Sequence, residues 1–188
     1  AYVAAQGALW GSNEERGLYR TSDAGKSWQR LIKVDDKTGA VDVVLKPDNP
    51  RTILAATWQR YRKAYTFVSG GPGSALYRST DGGQTWTKPT KGLPNGPLGR
   101  IGLTTCLSAP NVVYAAIERP PTGDLLSPIA SGEVAGGVFR SDDFGQTWRR
   151  TSLFNPRPFY FCQPVADPNN PDRVYLLGIE LHVSDDGG

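Results

Sequence analysis

Apolar residues in this chain come in short alternating runs, rich in aromatic and branched side chains and bounded by Gly, Pro, Asn and Asp. Residues 17–20, 75–78, 137–140 and 180–183 form one set of such runs, and 27–32, 85–88 and 147–150 form a second. Both sets predict short β-strands. Between the members of each pair stands one eight-residue phrase: Thr21-Ser-Asp-Ala-Gly-Lys-Ser-Trp28, Ser79-Thr-Asp-Gly-Gly-Gln-Thr-Trp86 and Ser141-Asp-Asp-Phe-Gly-Gln-Thr-Trp148. Ser184-Asp-Asp-Gly-Gly188 follows the same pattern as far as it runs. Hydroxyl, Asp, Gly, hydroxyl and Trp recur at fixed positions, as the turn of a β-hairpin demands. The carboxylates of Asp23, Asp81, Asp143 and Asp186 are placed to accept amide hydrogen bonds. Gly25, Gly83 and Gly145 supply the positive φ of the bend. Trp28, Trp86 and Trp148 are expected to fold back on the hairpin and bury a large apolar area. This is structural work. A calcium loop needs carboxylates at alternating positions and a distal bidentate acid; these turns have one regular Asp and no distal Glu, so no metal is expected.

Ahead of each hairpin lies another pair of apolar runs around a Pro/Asn turn: 41–46 and 52–58, 101–106 and 112–118, then 159–166 and 173–178. One unit is therefore four antiparallel strands, and repetition of such units predicts an all-β chain built as β-propeller blades. The expected division is a partial blade at 1–33, blades at 40–95 and 97–150, and a partial blade at 157–188. On this reading the chain is part of a larger propeller, needing further blades or self-association to cover its cut faces.

The repeated phrase resembles the Asp-box, or bacterial neuraminidase repeat. That repeat occurs in sialidases, xyloglucan-cleaving glycoside hydrolases, sortilin-type receptor propellers and photosystem assembly factors. Stretches such as Asn13-Glu-Glu-Arg-Gly17 and Ser69-Gly-Gly-Pro-Gly-Ser74 are similar to large bacterial secreted proteins of the sortilin-like and glycosyl-hydrolase-repeat kind. The resemblance implies an extracytoplasmic location. It also implies a ligand site on the face opposite the Asp-boxes, built from blade-to-blade links and the loops between second and third strands. Fold alone does not choose a chemistry.

Composition narrows the field modestly. Twenty-two Gly and 15 Pro suit a chain dense in turns. The formal charge of +3 is scattered, which argues against a nucleic-acid partner. No apolar run is long enough for a membrane helix. Cys106 and Cys162 fall at non-equivalent ends of neighbouring strands, beyond disulfide reach, and are expected to be buried thiols. His182, the sole histidine, takes the slot of Tyr19, Tyr77 and Phe139 and reads as a packing residue, so zinc has no ligand set.

Two constellations are candidates for function. Glu14, Glu15, Asp35 and Asp36 form adjacent carboxylate pairs, and glycoside hydrolysis needs two carboxyl groups about 5–9.5 Å apart. The alternative role of Glu14, Glu15 and Asp36 is as solvated loop charges paired with Arg16 and Lys37. Arg60, Arg62, Arg100 and Arg157, with Tyr61 and Tyr160, form the second set; guanidinium forks suit carboxylates and phosphates. Trp10, Trp58 and Tyr61 would be stacking platforms for a sugar. By resemblance, sialidases hold a substrate carboxylate with such arginines, but the Arg-Ile-Pro phrase marking one of them is absent. The loop 119–133 is expected to be a flap, a partner contact or disorder. The sequence thus predicts a module binding a glycan or protein ligand without cofactor. Its alternatives are a glycoside hydrolase and a protein-docking scaffold.

Overall fold

The computed structural model describes residues 1–119, 136–156, 159–160 and 163–188; residues 120–135, on which all but the first residue of the expected loop 119–133 falls, lie outside them, as do Arg157 and Cys162. Fourteen strands and no helix occur among the described residues, so no helix there is long and apolar enough to cross a membrane. All strand pairs are antiparallel. β1 (Tyr2–Ala5), β2 (Gly17–Arg20) and β3 (Gln29–Ile32) form the first sheet, in that order. β4 (Thr38–Lys46) and β5 (Asn49–Lys63) open the second. There β5 pairs with β6 (Thr66–Ser69) over its far end and with β7 (Ala75–Ser79) over its middle. β8 (Ile101–Thr105), β9 (Val113–Ile117), β10 (Gly137–Ser141) and β11 (Arg149–Ser152) make a regular four-stranded third sheet. β12 (Gln163–Ala166), β13 (Val174–Leu177) and β14 (Leu181–Ser184) make the fourth.

The sheets stack as blades, and strand alternation shows how. In β9, Val113, Ala115 and Ile117 join a core with Leu54, Ala56 and Leu76 of the second sheet, whereas Tyr114 and Ala116 join one with Ala166, Val174 and Leu176 of the fourth. In β5, Leu54 and Ala56 face the third sheet and Ala55 faces Leu18 and Ile32 of the first. Successive side chains point to opposite faces. A middle strand covered on both faces therefore reads as a continuous apolar run, as at 53–58 and 112–117. Polar links also cross between blades. The Asp42 carboxylate accepts the Leu103 amide at 2.8 Å, and Gln163 Nε2 donates to the Leu103 carbonyl at 3.0 Å, tying β4, β8 and β12.

The Asp-box turns are built as their pattern demands. In the third box, Ser141 Oγ accepts the Gly145 amide at 2.8 Å and donates to Asp143 Oδ1 at 2.8 Å. Asp143 accepts the Thr147 amide at 2.9 Å and the Thr147 hydroxyl at 2.6 Å. The boxes at Asp23 and Asp81 repeat these bonds, and Ser184 and Asp186 repeat the first half. These donors hold the Asp23 carboxyl down at about 2 and the Asp81 carboxyl lower still. Gly25, Gly83 and Gly145 have φ of 88°, 89° and 81°. Trp86 and Trp148 donate Nε1–H to the carbonyls of Gly83 and Gly145.

Several expectations need correction. Trp28 does not bury its ring; it is 46% exposed, against 6% for Trp148. Trp148 packs in a core with Leu54 and Leu76 of the preceding sheet, so the box tryptophan is a contact between blades more than within a hairpin. The predicted strand at 85–88 reduces to one bridge, Arg78 to Thr87. Of the run at 159–166, the described strand is Gln163–Ala166, and Phe159 and Tyr160 lie in a turn. Residues 59–69, expected as a loop, are mostly a hairpin extension of β5 and β6. Cys106 is a buried free thiol, as expected.

Candidate functional site

The β5–β6 extension creates the principal site. Beyond Trp58, period-two alternation puts Arg60 and Arg62 on one side and Tyr61 and Lys63 on the other. Lys63 Nζ accordingly lies 5.4 Å from the Tyr61 ring, away from the arginines. Arg60 lies over the Trp58 ring at 5.2 Å, and Arg100 approaches the same ring at 5.9 Å. Arg62 sits between Trp10 and Phe67, 5.5 Å from each ring centroid. Its Nη1 donates to Tyr160 Oη at 2.9 Å, and Arg100 Nη1 donates to the Tyr160 carbonyl at 2.8 Å. Phe67 stacks parallel to Tyr160 at 6.4 Å and contacts Phe159 at 5.4 Å. Trp58, Arg60, Arg62, Phe67, Arg100, Phe159 and Tyr160, with Gln6 and Leu9, line an open pocket of about 150 Å³, and Trp10 stands outside that lining, beside Arg62. The pocket lies at one end of β5. The other end meets an Asp-box, where the Arg51 carbonyl accepts the Gly82 amide. Nine residue steps along β5 lead from Arg51 to Arg60, about 30 Å.

Arg16 shapes one rim. It is 1% exposed and donates to the carbonyls of Gln6, Ala8 and Gly11, curling loop 6–11 so that Trp10 stands 54% exposed beside Arg62. Arg60 touches the same loop through Gln6 Oε1 at 3.3 Å. Burial lowers the Arg60 pKa, and the neighbouring charges of Arg16, Arg62 and Arg100 lower it further.

Beneath the pocket lies a carboxylate absent from the predicted site. Glu118 closes the predicted strand run 112–118 and is only 5% exposed. Its Oε2 accepts the Ser69 hydroxyl and, at 2.8 Å, the Arg100 amide; Ser69 Oγ in turn accepts Trp58 Nε1–H at 3.2 Å. This relay fixes the ring and the arginine that meet in the pocket. Burial raises the Glu118 pKa against those donors and the Arg100 charge. Asp42 is raised likewise by burial, against amides of Leu103 and Val43. An acid inside an otherwise apolar strand was a visible signal for Asp42; nothing local marked Glu118.

The paired carboxylates lie apart from this pocket's lining. Glu14 has a side chain 85% exposed and pairs with Lys33 at 3.0 Å, and Glu15 is exposed. Asp35 caps the Lys37 amide at 2.8 Å. The two loops do meet, through the Asn13 amide and the Asp36 carbonyl at 2.8 Å, and both Asp35 and Asp36 act on the Arg16 charge. Of the arginine set, Arg60, Arg62 and Arg100 come together with Trp10, Trp58 and Tyr160; Tyr61 faces away, and Arg157 is outside the described residues.

Repeated boxes on antiparallel, face-stacked blades define an Asp-box β-propeller architecture. Residues 77–88 match a family model described as BNR/Asp-box repeat, and residues 138–151 one described as BNR-Asp box repeat. The chain is 28% identical over 176 residues to a xyloglucanase of Paenibacillus sp, covering 89% of this chain and 15% of that protein. It is 25% identical over 187 residues to the xyloglucanase Xgh74A of Acetivibrio thermocellus, covering 90% of this chain and 20% of that one. The chain thus spans a fifth or less of these curated relatives. An ancestral GH74 enzyme superposes with a TM-score of 0.58 at 20% identity, covering all of this chain and 23% of its own, which establishes likeness of fold. The similarity is therefore to propellers related to glycoside hydrolases.

Proposed function

We propose that this chain recognises a glycan on the face opposite its Asp-boxes, in the pocket between Trp10, Trp58 and Tyr160. One observation carries the reading: the exposed rings of Trp10 and Tyr160 and the buried ring of Trp58 interleave with guanidiniums around a solvent-open hollow, the arrangement that stacks on a sugar ring and hydrogen-bonds its substituents. At about 150 Å³ the hollow is small beside the roughly 300–1,000 Å³ of sites that engulf a ligand. A single ring resting against Trp10 at its mouth fits better than an enclosed oligosaccharide. Curated relatives named as xyloglucanases support polysaccharide as the ligand class, and with it an extracytoplasmic location.

The same relatives favour a second reading, glycoside hydrolysis with Glu14, Glu15, Asp35 and Asp36 supplying acid and base or nucleophile. Affinity electrophoresis and reducing-sugar release against a polysaccharide panel separate the two. Recognition predicts binding that Trp10→Ala weakens about tenfold or more, without product. Product release abolished in Asp35→Asn/Asp36→Asn establishes the hydrolase instead. Absence of binding to every glycan tested refutes both.

A further inference from the structure

We propose that the pocket selects a sugar acid, a glycan unit bearing a carboxylate, over an uncharged one. This rests on the glycan reading and specifies its ligand class. Three guanidiniums, from Arg60, Arg62 and Arg100, converge on one hollow. Yet among the ion pairs of the described residues none involves any of them. The charges nearby are unevenly answered. Asp35 and Asp36 act on Arg16, and the buried Asp42 and Glu118 sense Arg100. The charges acting on Arg60 are those of three other arginines. Unanswered like charges held together repel, and a bound anion relieves that repulsion.

Donor capacity points the same way. A guanidinium has five N–H groups in a planar fork matched to a carboxylate. Arg62 uses one N–H on Tyr160, and Arg60 makes two long contacts, at 3.3 and 3.4 Å. Arg100 Nε is buried without a partner. The cation–π contacts with Trp58, Trp10 and Phe67 hold the guanidiniums in place but leave their charge intact. A carboxylate fixed to a ring uses both halves of the site, with the ring against Trp10 and the charge among the arginines.

Titration calorimetry with oligogalacturonate, its methyl ester and an uncharged xyloglucan oligosaccharide tests this. The ester keeps the sugar and removes the charge. The expected result is acid bound at least tenfold tighter than ester, weakening with salt. Arg62→Gln or Arg60→Gln is then expected to lower acid affinity about ten- to a hundredfold and to shrink the acid–ester difference. The acid–ester comparison on the unaltered protein stands even where a variant folds poorly. Equal binding of acid and ester, or of the acid and dextran sulfate, overturns the carboxylate assignment and leaves the glycan reading intact. Failure of all the sugars overturns both.

Discussion

The three box tryptophans are one residue type in one turn, so replacing each by alanine isolates what packing between blades contributes. Trp28 is 46% exposed and Trp148 is 6% exposed. On a side chain of about 250 Å² that difference is about 100 Å² of surface. At about 25 cal/mol/Å² it corresponds to about 2.5 kcal/mol. Trp148→Ala also empties a site among Leu54, Leu76 and Phe139, which places its full cost at about 3–5 kcal/mol. Taking the area difference from that full cost leaves about 0.5–2.5 kcal/mol for Trp28→Ala. Trp86, half-buried, falls between, because its box glycine already packs against Leu31 of the preceding sheet. Urea unfolding followed by far-ultraviolet circular dichroism reads the difference without relying on the removed indole. With a slope of roughly 2–3 kcal/mol/M, the Trp28 and Trp148 variants should separate by about 1 M in midpoint. Equal midpoints would refute the reasoning, showing that the box tryptophan stabilises its own hairpin and not the blade interface.

Two further predictions concern the polar framework. The residue before each full box is arginine, and Arg20 and Arg78 donate to the Gly82 and Phe144 carbonyls of the next box, both at 2.9 Å. Arg78→Met is expected to cost about 1–2 kcal/mol by leaving that carbonyl unpaired; a cost near zero in denaturant titration would show the contact is incidental. For pH, Glu118 and Asp42 are raised above their ordinary 4.5 and 3.8. Their contribution is thus present below those values and lost as pH rises through the raised ones. Asp23 is lowered to about 2, so its contribution is present above 3.8 and lost as pH falls toward 2. Stability should therefore peak on the acid side of neutrality. Glu118→Gln should flatten the decline above about pH 4.5, and an unchanged slope in thermal unfolding from pH 4 to 8 would contradict the assignment.

The box end of the molecule was legible in sequence because its bonds are local. Asp143 reaches Thr147 four residues on, and Ser141 reaches Gly145, so spacing alone specifies the turn. Strand pairs around the Pro/Asn turns were legible for the same reason. The site end was half legible. Arg60, Arg62 and Arg100 were nominated by type and by loop position, but Arg62 meets Tyr160 across 98 residues and no local pattern encodes that contact. The hairpin extension hid behind polar residues and glycines, although the Arg-Tyr-Arg-Lys alternation at 60–63 carried the period of a strand. That alternation also excludes Tyr61 from the pocket. Trp28 was misread because burial of the box tryptophan depends on a neighbouring blade, a relation that a single repeat does not contain.

This contrast between ends has a physical consequence for the pocket. The hydroxyl–Asp–Gly bonds of each box close within its own turn, even though its tryptophan and one carbonyl reach a neighbouring blade. The pocket draws Gln6 and Leu9 from the connection after β1, Trp58, Arg60, Arg62 and Phe67 from β5 and β6, Arg100 from the entry to β8, and Tyr160 from the link before β12. Its geometry is therefore set by the angles between blades. Those angles are fixed by close approach at small residues, Ala55, Ala56, Ala115 and Ala116, and by the Asp42–Leu103–Gln163 tie across the inner strands. A fully buried alanine on a middle strand leaves no room for a larger side chain without moving the next blade. The alanines and Asp42 thus help to place the three arginines relative to one another without lining the pocket themselves.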